Sequence, residues 1–183
     1  GRKRKENADI SIRFILRHFD ATVIVAEGDE SKRYYNDFQT DKFLHCFIHD
    51  ESVFFHKTKY INRLIELSST RFIAVWDADV IAPPDQILES VTVLRQGKAI
   101  ISIPYDGRVY VCDNSLSDLF RRVPRTELLL KLVPALPLMY GHCSTGGIFI
   151  ANREKYLEAG GENESILGWG PEDFERVKRV EIL

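Results

Sequence analysis

The sequence predicts an α/β fold, because strand patterns and helix patterns alternate along the chain with mostly short connections. The strand patterns are runs rich in β-branched and aromatic residues, and the helix patterns repeat apolar residues every three or four positions. The run from Phe72 to Trp76 is apolar throughout, which is typical of a strand buried on both faces of a parallel sheet. A chain of 183 residues can bury one sizeable core, so a single domain over residues 1–183 is expected.

Local periodicity and turn residues predict the individual elements. In order, they are a helix capped by Asn7, strands at 21–26 and 43–49, a helix at 57–67, the strand at 72–76, a helix ended by Gly97, a strand at 99–104, a hairpin turn at Asp106-Gly107 into 109–111, helices at about 116–123 and 126–133, a strand at 147–151, a helix at 153–159 and a last helix opened by Pro171. No internal repeat or linker interrupts this series.

Composition excludes several classes of function. The 25 Lys and Arg residues nearly balance the 27 Asp and Glu residues, so no net positive field indicates a nucleic-acid partner. No apolar run reaches the roughly 18 residues of a membrane span, and no signal peptide is visible, which predicts a cytoplasmic protein. Cys46, Cys112 and Cys143 are odd in number and widely spaced, which predicts reduced core or pocket residues.

Two acids follow the apolar run directly. Asp77 and Asp79 stand where the strand should emerge, and open α/β sheets bind ligands beyond the carboxyl ends of their strands. If the strand continues through Asp79, its period of two places both carboxylates on one side, where they can share a hard cation. The alternative is that both are solvated loop acids or caps for the next helix. The local sequence favours neither interpretation.

A second acidic pair lies in the string Gly168-Trp169-Gly170-Pro171-Glu172-Asp173. Pro171 suits the first position of a helix, so Glu172 and Asp173 fall in a first turn, where the helix dipole stabilises anions. On local grounds this is ordinary helix-start chemistry. The glycines on both sides of Trp169 favour another interpretation, since they let the indole lie against the apolar face of a sugar.

Together these motifs resemble the inverting GT-A glycosyltransferases of the family 2 type, and within them the bacterial relatives of the β-1,4-galactosyltransferases and chondroitin-type polymerases. Trp76-Asp77-Ala78-Asp79 is similar to the family's DxD motif, Gly146-Gly147-Ile148-Phe149 resembles its acceptor-side GG strand, and residues 168–175 resemble its WGxED signature. Residues 21–31 resemble its second strand with an acidic turn, and residues 55–62 its basic-x4-Asn helix. A DxD triplet alone is a weak signal, whereas the three motifs in this order and spacing are a strong one.

The resemblance implies a GT-A fold, a Rossmann-like and mostly parallel sheet flanked by helices. It implies a metal-dependent hexosyltransferase, of the galactosyl or N-acetylhexosaminyl type, that moves a sugar from a nucleotide-sugar, typically a UDP-sugar, to a carbohydrate acceptor with inversion. Such enzymes act in polysaccharide biosynthesis. The resemblance to bacterial members also leaves peripheral association with a membrane open.

The resemblance also implies a role for each matching residue. On the donor side, Glu27 would contact the base, Lys57 and Asn62 would line the nucleotide, Asp77 would face the ribose and metal region, and Asp79 would bind Mn²⁺ or Mg²⁺ on the diphosphate. On the acceptor side, Asp173 would be the general base, Glu172 would orient the site, Trp169 would stack on sugar, and Gly146 and Gly147 would line the acceptor.

Two departures from the family pattern stand out. The apolar first strand that family members carry ahead of the first helix is absent, and the chain starts with GRKRKEN. The chain also stops at Leu183, before the His that supplies the family's third metal ligand. We therefore expect a domain truncated at both ends. His142 does not match that ligand and is expected to be an acceptor-side or core residue.

Two other functions remain open from the sequence. In a phosphatase of the haloacid-dehalogenase type, Asp77 would be the nucleophile and Asp79 the acid. That motif normally has Thr or Val where Ile81 stands, and its first Asp normally lies near the start of the chain. The second alternative is a catalytically inactive module that binds a sugar or nucleotide.

Overall fold

The computed structural model describes residues 2–140, 144–168 and 171–182. The chain is a mixed α/β protein in which helices and strands alternate, as the sequence predicts. The helices are α1 (Arg2–His18), α2 (Lys57–Leu67), α3 (Pro84–Arg95), α4 (Asn114–Arg122), α5 (Thr126–Leu132), α6 (Arg153–Glu158) and α7 (Glu172–Ile182), with a 3₁₀ turn at Val133–Ala135. The strands are β1 (Val23–Asp29), β2 (Phe43–His49), β3 (Phe72–Trp76), β4 (Ile101–Ser102) and β5 (Ile148–Asn152).

The strands form two sheets. One is a parallel pair, β1 with β2, in which Val23 lies opposite Phe43 and Asp29 opposite His49. The other has the order β3-β5-β4, and β5 runs antiparallel to both neighbours. The prediction that β3 belongs to a parallel sheet is therefore wrong. An apolar run indicates that a strand packs on both of its faces, which is independent of the direction of its hydrogen-bonded partner.

The three-stranded sheet carries the core on both of its faces. All five residues of β5 are buried, and they alternate between the two faces as strand geometry requires. Phe149 and Ala151 pack with Ile73 against α2 and α6, while Ile148 and Ile150 pack against α3. The GG strand of the sequence is thus the central strand of this sheet.

Several element boundaries differ from the prediction. α1 begins at Arg2, so Asn7 lies inside the helix rather than at its start, and an ion pair between Lys5 Nζ and Asp9 Oδ2 at 2.7 Å spans one helical turn. β1 continues through Asp29, because each of its residues has a partner on β2. Glu27 therefore lies within the strand and not in a turn.

The expected hairpin after residue 104 does not form. β4 has only two residues, and Tyr110 forms a bridge with Leu138 instead of a strand with residues 99–104. Backbone hydrogen bonds from Val111 to Pro137 and from Met139 to Val109 complete this contact. A turn signal marks a change of direction, but it does not determine which segment the following residues contact.

The cysteine prediction is correct only in part. Cys46 is a free thiol of intermediate burial, whereas Cys112 is free but exposed, so it is not a core or pocket residue. Cys143 lies outside the described residues. Over residues 2–140, 144–168 and 171–182, no helix is both long and apolar enough to cross a bilayer.

Because β5 is central, we expect truncation of Ile150 to be costly. Ile150 is 2% exposed, so Ile150→Ala should lower the free energy of unfolding by about 2–5 kcal/mol. Leu130, which is 51% exposed, is the control, and Leu130→Ala should change stability by no more than about 0.5 kcal/mol. Urea unfolding of both variants measures the difference. Equal stability losses would contradict the placement of β5 in the core.

Candidate functional site

Three segments that the sequence singled out meet at one small pocket. Asp77, after β3, lies beside Gly147, before β5, and the amide of Asp77 donates to the carbonyl of Gly147 at 2.8 Å. Lys57 at the start of α2, together with Asp173 and Arg176 on α7, completes the charged lining. The pocket is partly open to solvent and has a volume of about 10 Å³, which is room for about one water molecule.

Lys57 joins the two acidic motifs. Its Nζ lies 3.3 Å from Asp77 Oδ1 and 3.2 Å from Glu172 Oε1. Burial acts to lower the pKa of Lys57, but the charges of Asp77, Asp173 and Glu172 outweigh burial, and the net shift is upward. Lys57 is therefore held in its charged form between the acids. Its charge reduces the repulsion between the half-buried carboxylate of Asp77 and the buried carboxylate of Glu172.

Burial also raises the pKa of Asp77, although Lys57 offsets part of this effect. The negative charges of Asp173 and Asp79 act in the same direction as burial. Asp77 thus lies in a field of other acids, a situation typical of sites that bind cations or move protons.

Asp173 is held from two sides. Its Oδ1 accepts a hydrogen bond from Arg176 Nη1 at 2.6 Å, one turn further along α7. Its Oδ2 lies over Gly146 so closely that a Cβ atom built there would be 2.3 Å away. A residue larger than glycine at position 146 would displace the carboxylate, so this glycine is required by a close approach rather than by a turn.

Gly147 is required for a different reason. Its φ of +103° lies in the region that side chains disfavour, and an added Cβ would be 2.8 Å from the Tyr105 hydroxyl oxygen. That hydroxyl donates to the carbonyl of Gly146 and accepts from the amide of Ile148. Tyr105 therefore fixes the start of β5 at the point where it meets Asp77 and Asp173.

Exposure separates the acids into two groups. Asp77 and Asp173 keep 32% and 23% of their side-chain surface exposed, while Glu172 keeps only 3%. The string Glu172-Asp173 alone does not indicate which acid meets a ligand. In the folded chain Asp173 is the accessible one, and Glu172 is buried against Lys57.

Asp79 does not share the position of Asp77. β3 ends at Trp76, and residues 78 and 79 form an exposed turn, so the condition that the strand continues through Asp79 is not met. Hydrogen bonds from Trp76 Nε1 to the Val80 carbonyl and from Ser11 Oγ to the Ala78 carbonyl hold this turn. In the part of the chain that the structure describes, no group of three or more His, Cys, Asp or Glu side chains is placed to hold a metal ion.

The remaining donor-side residues lie apart from the pocket lining. The amide of Asn62 pairs with the backbone of Glu162 in both directions, at 3.0 and 2.8 Å, and donates to Glu164. Glu27 lies on β1, where its Oε1 accepts from the amides of Arg33 and Tyr34 and its Oε2 is 3.0 Å from His45 Nε2. Their roles toward a nucleotide stay predictions.

The sequence analysis missed two residues that contact the site directly, Arg176 and Tyr105. Arg176 could have been noticed, since it stands three positions after Asp173 on a predicted helix, where side chains meet. Tyr105 carries no such signal, because its contact with Gly146 depends on the sheet. Trp169, predicted to stack on sugar, and His142 lie outside the described residues.

Comparisons with known proteins do not assign the chain to a family. No protein-family model matches it, and searches of curated proteins and of solved structures find no match either.

The role of Lys57 predicts a pH-dependent loss of stability in Lys57→Met. Removing the charge that lies between Asp77 and Glu172 increases the repulsion between these carboxylates, so unfolding should become easier by roughly 3 kcal/mol at neutral pH. The pKa of Asp77 rises further without Lys57, and a raised carboxyl pKa lowers stability as pH rises above its unfolded value of about 4. The deficit should therefore shrink as the pH falls from neutral toward about 4, and it should be smallest below that pH.

The control is Lys59→Met, which changes an exposed lysine of the same helix. Urea unfolding of both variants between pH 3 and pH 8, about the range in which carboxylates titrate, measures the effect. A deficit in Lys57→Met that does not vary with pH would contradict the electrostatic role.

Proposed function

We propose that this chain is the catalytic domain of a metal-dependent glycosyltransferase of the inverting GT-A type. It would transfer a sugar, of the galactosyl or N-acetylhexosaminyl kind, from a nucleotide-sugar to a carbohydrate acceptor. The observation that carries the proposal is the meeting of Asp77, Gly146-Gly147 and Asp173 at one pocket. These residues belong to the DxD, GG and WGxED segments, which are far apart in the chain and meet only through the fold.

The strand arrangement departs from the GT-A pattern that the resemblance implies. The described strands form two separate sheets, β1-β2 and β3-β5-β4, rather than one mostly parallel sheet. Residues 2–22 contain a helix and no strand. The finer assignment of fold is therefore part of the proposal, and it rests on the three motifs.

In the proposed reaction, an acceptor hydroxyl attacks the anomeric carbon of the donor in one displacement. The new bond from the acceptor oxygen forms as the bond from the anomeric carbon to the diphosphate breaks, and the nucleoside diphosphate leaves. Asp173, whose side chain is 23% exposed, takes the proton of the acceptor hydroxyl, while its Oδ1 stays hydrogen-bonded to Arg176. No covalent intermediate on the protein is needed, because one displacement inverts the anomeric carbon.

The residues present fit a divalent cation in part. Mg²⁺ and Mn²⁺ sites at phosphates commonly use one or two carboxylates, with substrate oxygens and waters completing the shell. Asp79, exposed in its turn, and Asp77 at the strand end supply two such carboxylates. When bound, the cation would offset charge on the departing diphosphate. Lys57, already paired with Asp77, adds a positive charge at the same place.

The test of the function is a panel of nucleotide-sugars, with Mn²⁺ and carbohydrate acceptors, on the full-length protein. Transfer of sugar to an acceptor supports the proposal. Release of phosphate from a generic phosphoester would instead indicate the phosphatase. Thermal stabilisation by a nucleotide-sugar without any turnover would indicate an inactive binding module.

Asp173→Asn tests the base. A general base acts only as the proton moves, so kcat should fall by about 10²–10⁴-fold while the affinity for donor and acceptor stays nearly unchanged. Asn keeps the shape of the side chain and can accept the hydrogen bond from Arg176. The measurement is steady-state kinetics with saturating donor and metal.

The matched control is Asp85→Asn, the same change in the first turn of α3, where the side chain is exposed. It should leave kcat unchanged. A wild-type kcat in Asp173→Asn would refute the role of Asp173. A loss of kcat only in Glu172→Gln would move the base to the neighbouring acid.

Asp79→Ala tests the metal. It should abolish Mn²⁺-dependent binding of a nucleoside diphosphate and leave the fold intact, because Asp79 is exposed in a turn. Calorimetric titration with and without Mn²⁺ measures this binding, and Asp85→Ala, which removes a nearby exposed acid, is the control. If Mn²⁺-dependent affinity survives in Asp79→Ala, Asp79 is not a ligand.

A further inference from the structure

Behind Asp173 lies a buried chain of three hydrogen-bonded side chains. Arg176 donates through Nη1 to Asp173, through Nε to Glu162 Oε1 at 2.7 Å, and through Nη2 to Glu162 Oε2 at 3.0 Å. The hydroxyl of Tyr156 donates to the same Glu162 Oε1 at 2.6 Å. The guanidinium group therefore binds Glu162 with two nitrogens and Asp173 with the third.

This chain is shielded from solvent. The side chain of Glu162 is fully buried, and that of Arg176 is 2% exposed. The guanidinium carbon lies 4.1 Å from the centroid of the Phe149 ring on the central strand, and Asn62 holds the backbone of Glu162 from both sides. Burial acts to lower the pKa of Arg176, but Glu162 and Asp173 outweigh it, and the net shift is upward.

Stability alone does not explain a pair of this kind. A buried ion pair typically contributes no more to stability than a well-packed apolar pair of the same volume, because both charges must leave water. The pairing with Glu162 instead fixes the orientation of the Arg176 guanidinium group. The planar guanidinium fork has fixed geometry, so binding Glu162 at two positions determines where the third nitrogen points. It points at Asp173.

The pair also sets the charge that Asp173 experiences. Among the described residues, the other charged or titratable groups around Asp173 are Lys57 on α2, Asp77 after β3, Tyr105 after β4 and Glu172 beside it on α7. Without Glu162, Arg176 would add a second cation to these surroundings. Glu162 neutralises Arg176 while leaving its hydrogen bond to Asp173 in place.

We propose that Glu162 and Arg176 are positioning residues for Asp173: Glu162 orients Arg176 and balances its charge, and Arg176 orients the carboxylate. This inference rests on the proposed function, since it assigns the support of the base in that reaction. Tyr156 closes the chain by donating the remaining hydrogen bond to Glu162.

Glu162→Gln tests the role of the Glu162 charge, because it changes the size of the side chain very little. The amide keeps the volume of the side chain but loses the charge, and it offers only one acceptor to the two guanidinium nitrogens. In the ligand-free protein at neutral pH, the ¹³C chemical shift of the Asp173 carboxyl should change, because the hydrogen bond from Arg176 is no longer held in place by Glu162. In the enzyme, kcat should fall roughly 10-fold with the donor KM unchanged, because the base is oriented less rigidly toward the acceptor.

The control is Glu164→Gln, the same change two residues away on the same loop, where the carboxylate accepts from Asn62 and does not contact Arg176. It should alter neither the chemical shift of Asp173 nor kcat. A second variant, Arg176→Lys, keeps the buried charge but cannot bind Glu162 and Asp173 as a fork. It should lower kcat by roughly 10- to 100-fold.

The outcomes separate the two proposals. If Asp173→Asn keeps wild-type kcat, the function assigned to Asp173 is wrong, whereas the ligand-free chemical shift of Asp173 in Glu162→Gln still reports on the pair. If Asp173→Asn loses kcat but folded Glu162→Gln keeps both the wild-type chemical shift and the wild-type kcat, the positioning role is overturned. If Glu162→Gln does not fold, Arg176→Lys decides, and wild-type kcat in that variant overturns the role. If neither variant folds, Glu162 and Arg176 serve only to stabilise the fold, and this outcome also overturns the positioning role.

Discussion

The charge balance around Lys57 is the constraint on which the candidate site depends. Asp77, Glu172 and Asp173 come from distant parts of the chain, and three carboxylates brought together in a partly buried pocket repel one another. Lys57 pairs with two of them, Asp77 and Glu172, while Asp173 accepts a hydrogen bond from Arg176, whose charge Glu162 balances. The start of α7 adds the positive end of a helix dipole beside the same acids. The acidic site therefore lies where the starts of α2 and α7 meet the end of β3.

The antiparallel direction of β5 places Gly146 and Gly147 at this site. Because β5 runs opposite to β3, its first residues lie beside the last residues of β3, and Gly147 pairs with Asp77. A parallel β5 would have placed the same glycines at the far end of the sheet, away from both acids. Gly146 then leaves the space that Asp173 occupies. Sheet topology, and not only the motifs themselves, brings the three segments together.

Features that depend on nearby sequence were predicted correctly, whereas features that depend on distant contacts were not. β2 and α2 match their predicted bounds because apolar periodicity and short connections define them locally. The direction of β5, the contact of Tyr110 with Leu138 and the end of β1 depend on partners far along the chain, which a single sequence does not identify. The acids at the site were predictable from their positions after a strand and at a helix start. The buried pairing of Arg176 with Glu162 was not, since Glu162 lies on a loop with no periodicity.

The sum of charges at the site favours the kind of ligand that the proposed function needs. Glu162, Glu172, Asp173 and Asp77 are four carboxylates against two cations, Lys57 and Arg176, which leaves a formal charge of −2 before Asp79 is counted. The cavity holds about one water molecule, so a larger ligand must lie across its rim, where Asp77 and Asp173 are exposed. A nucleoside diphosphate alone would meet like charge there. A divalent cation at the rim would reverse the sign that the phosphates meet, and Lys57, released from Asp77 by that cation, would be free to face the phosphates. The buried cations thus hold the acids in place, and the excess negative charge around the pocket is the reason why the proposed function includes a metal for phosphate binding.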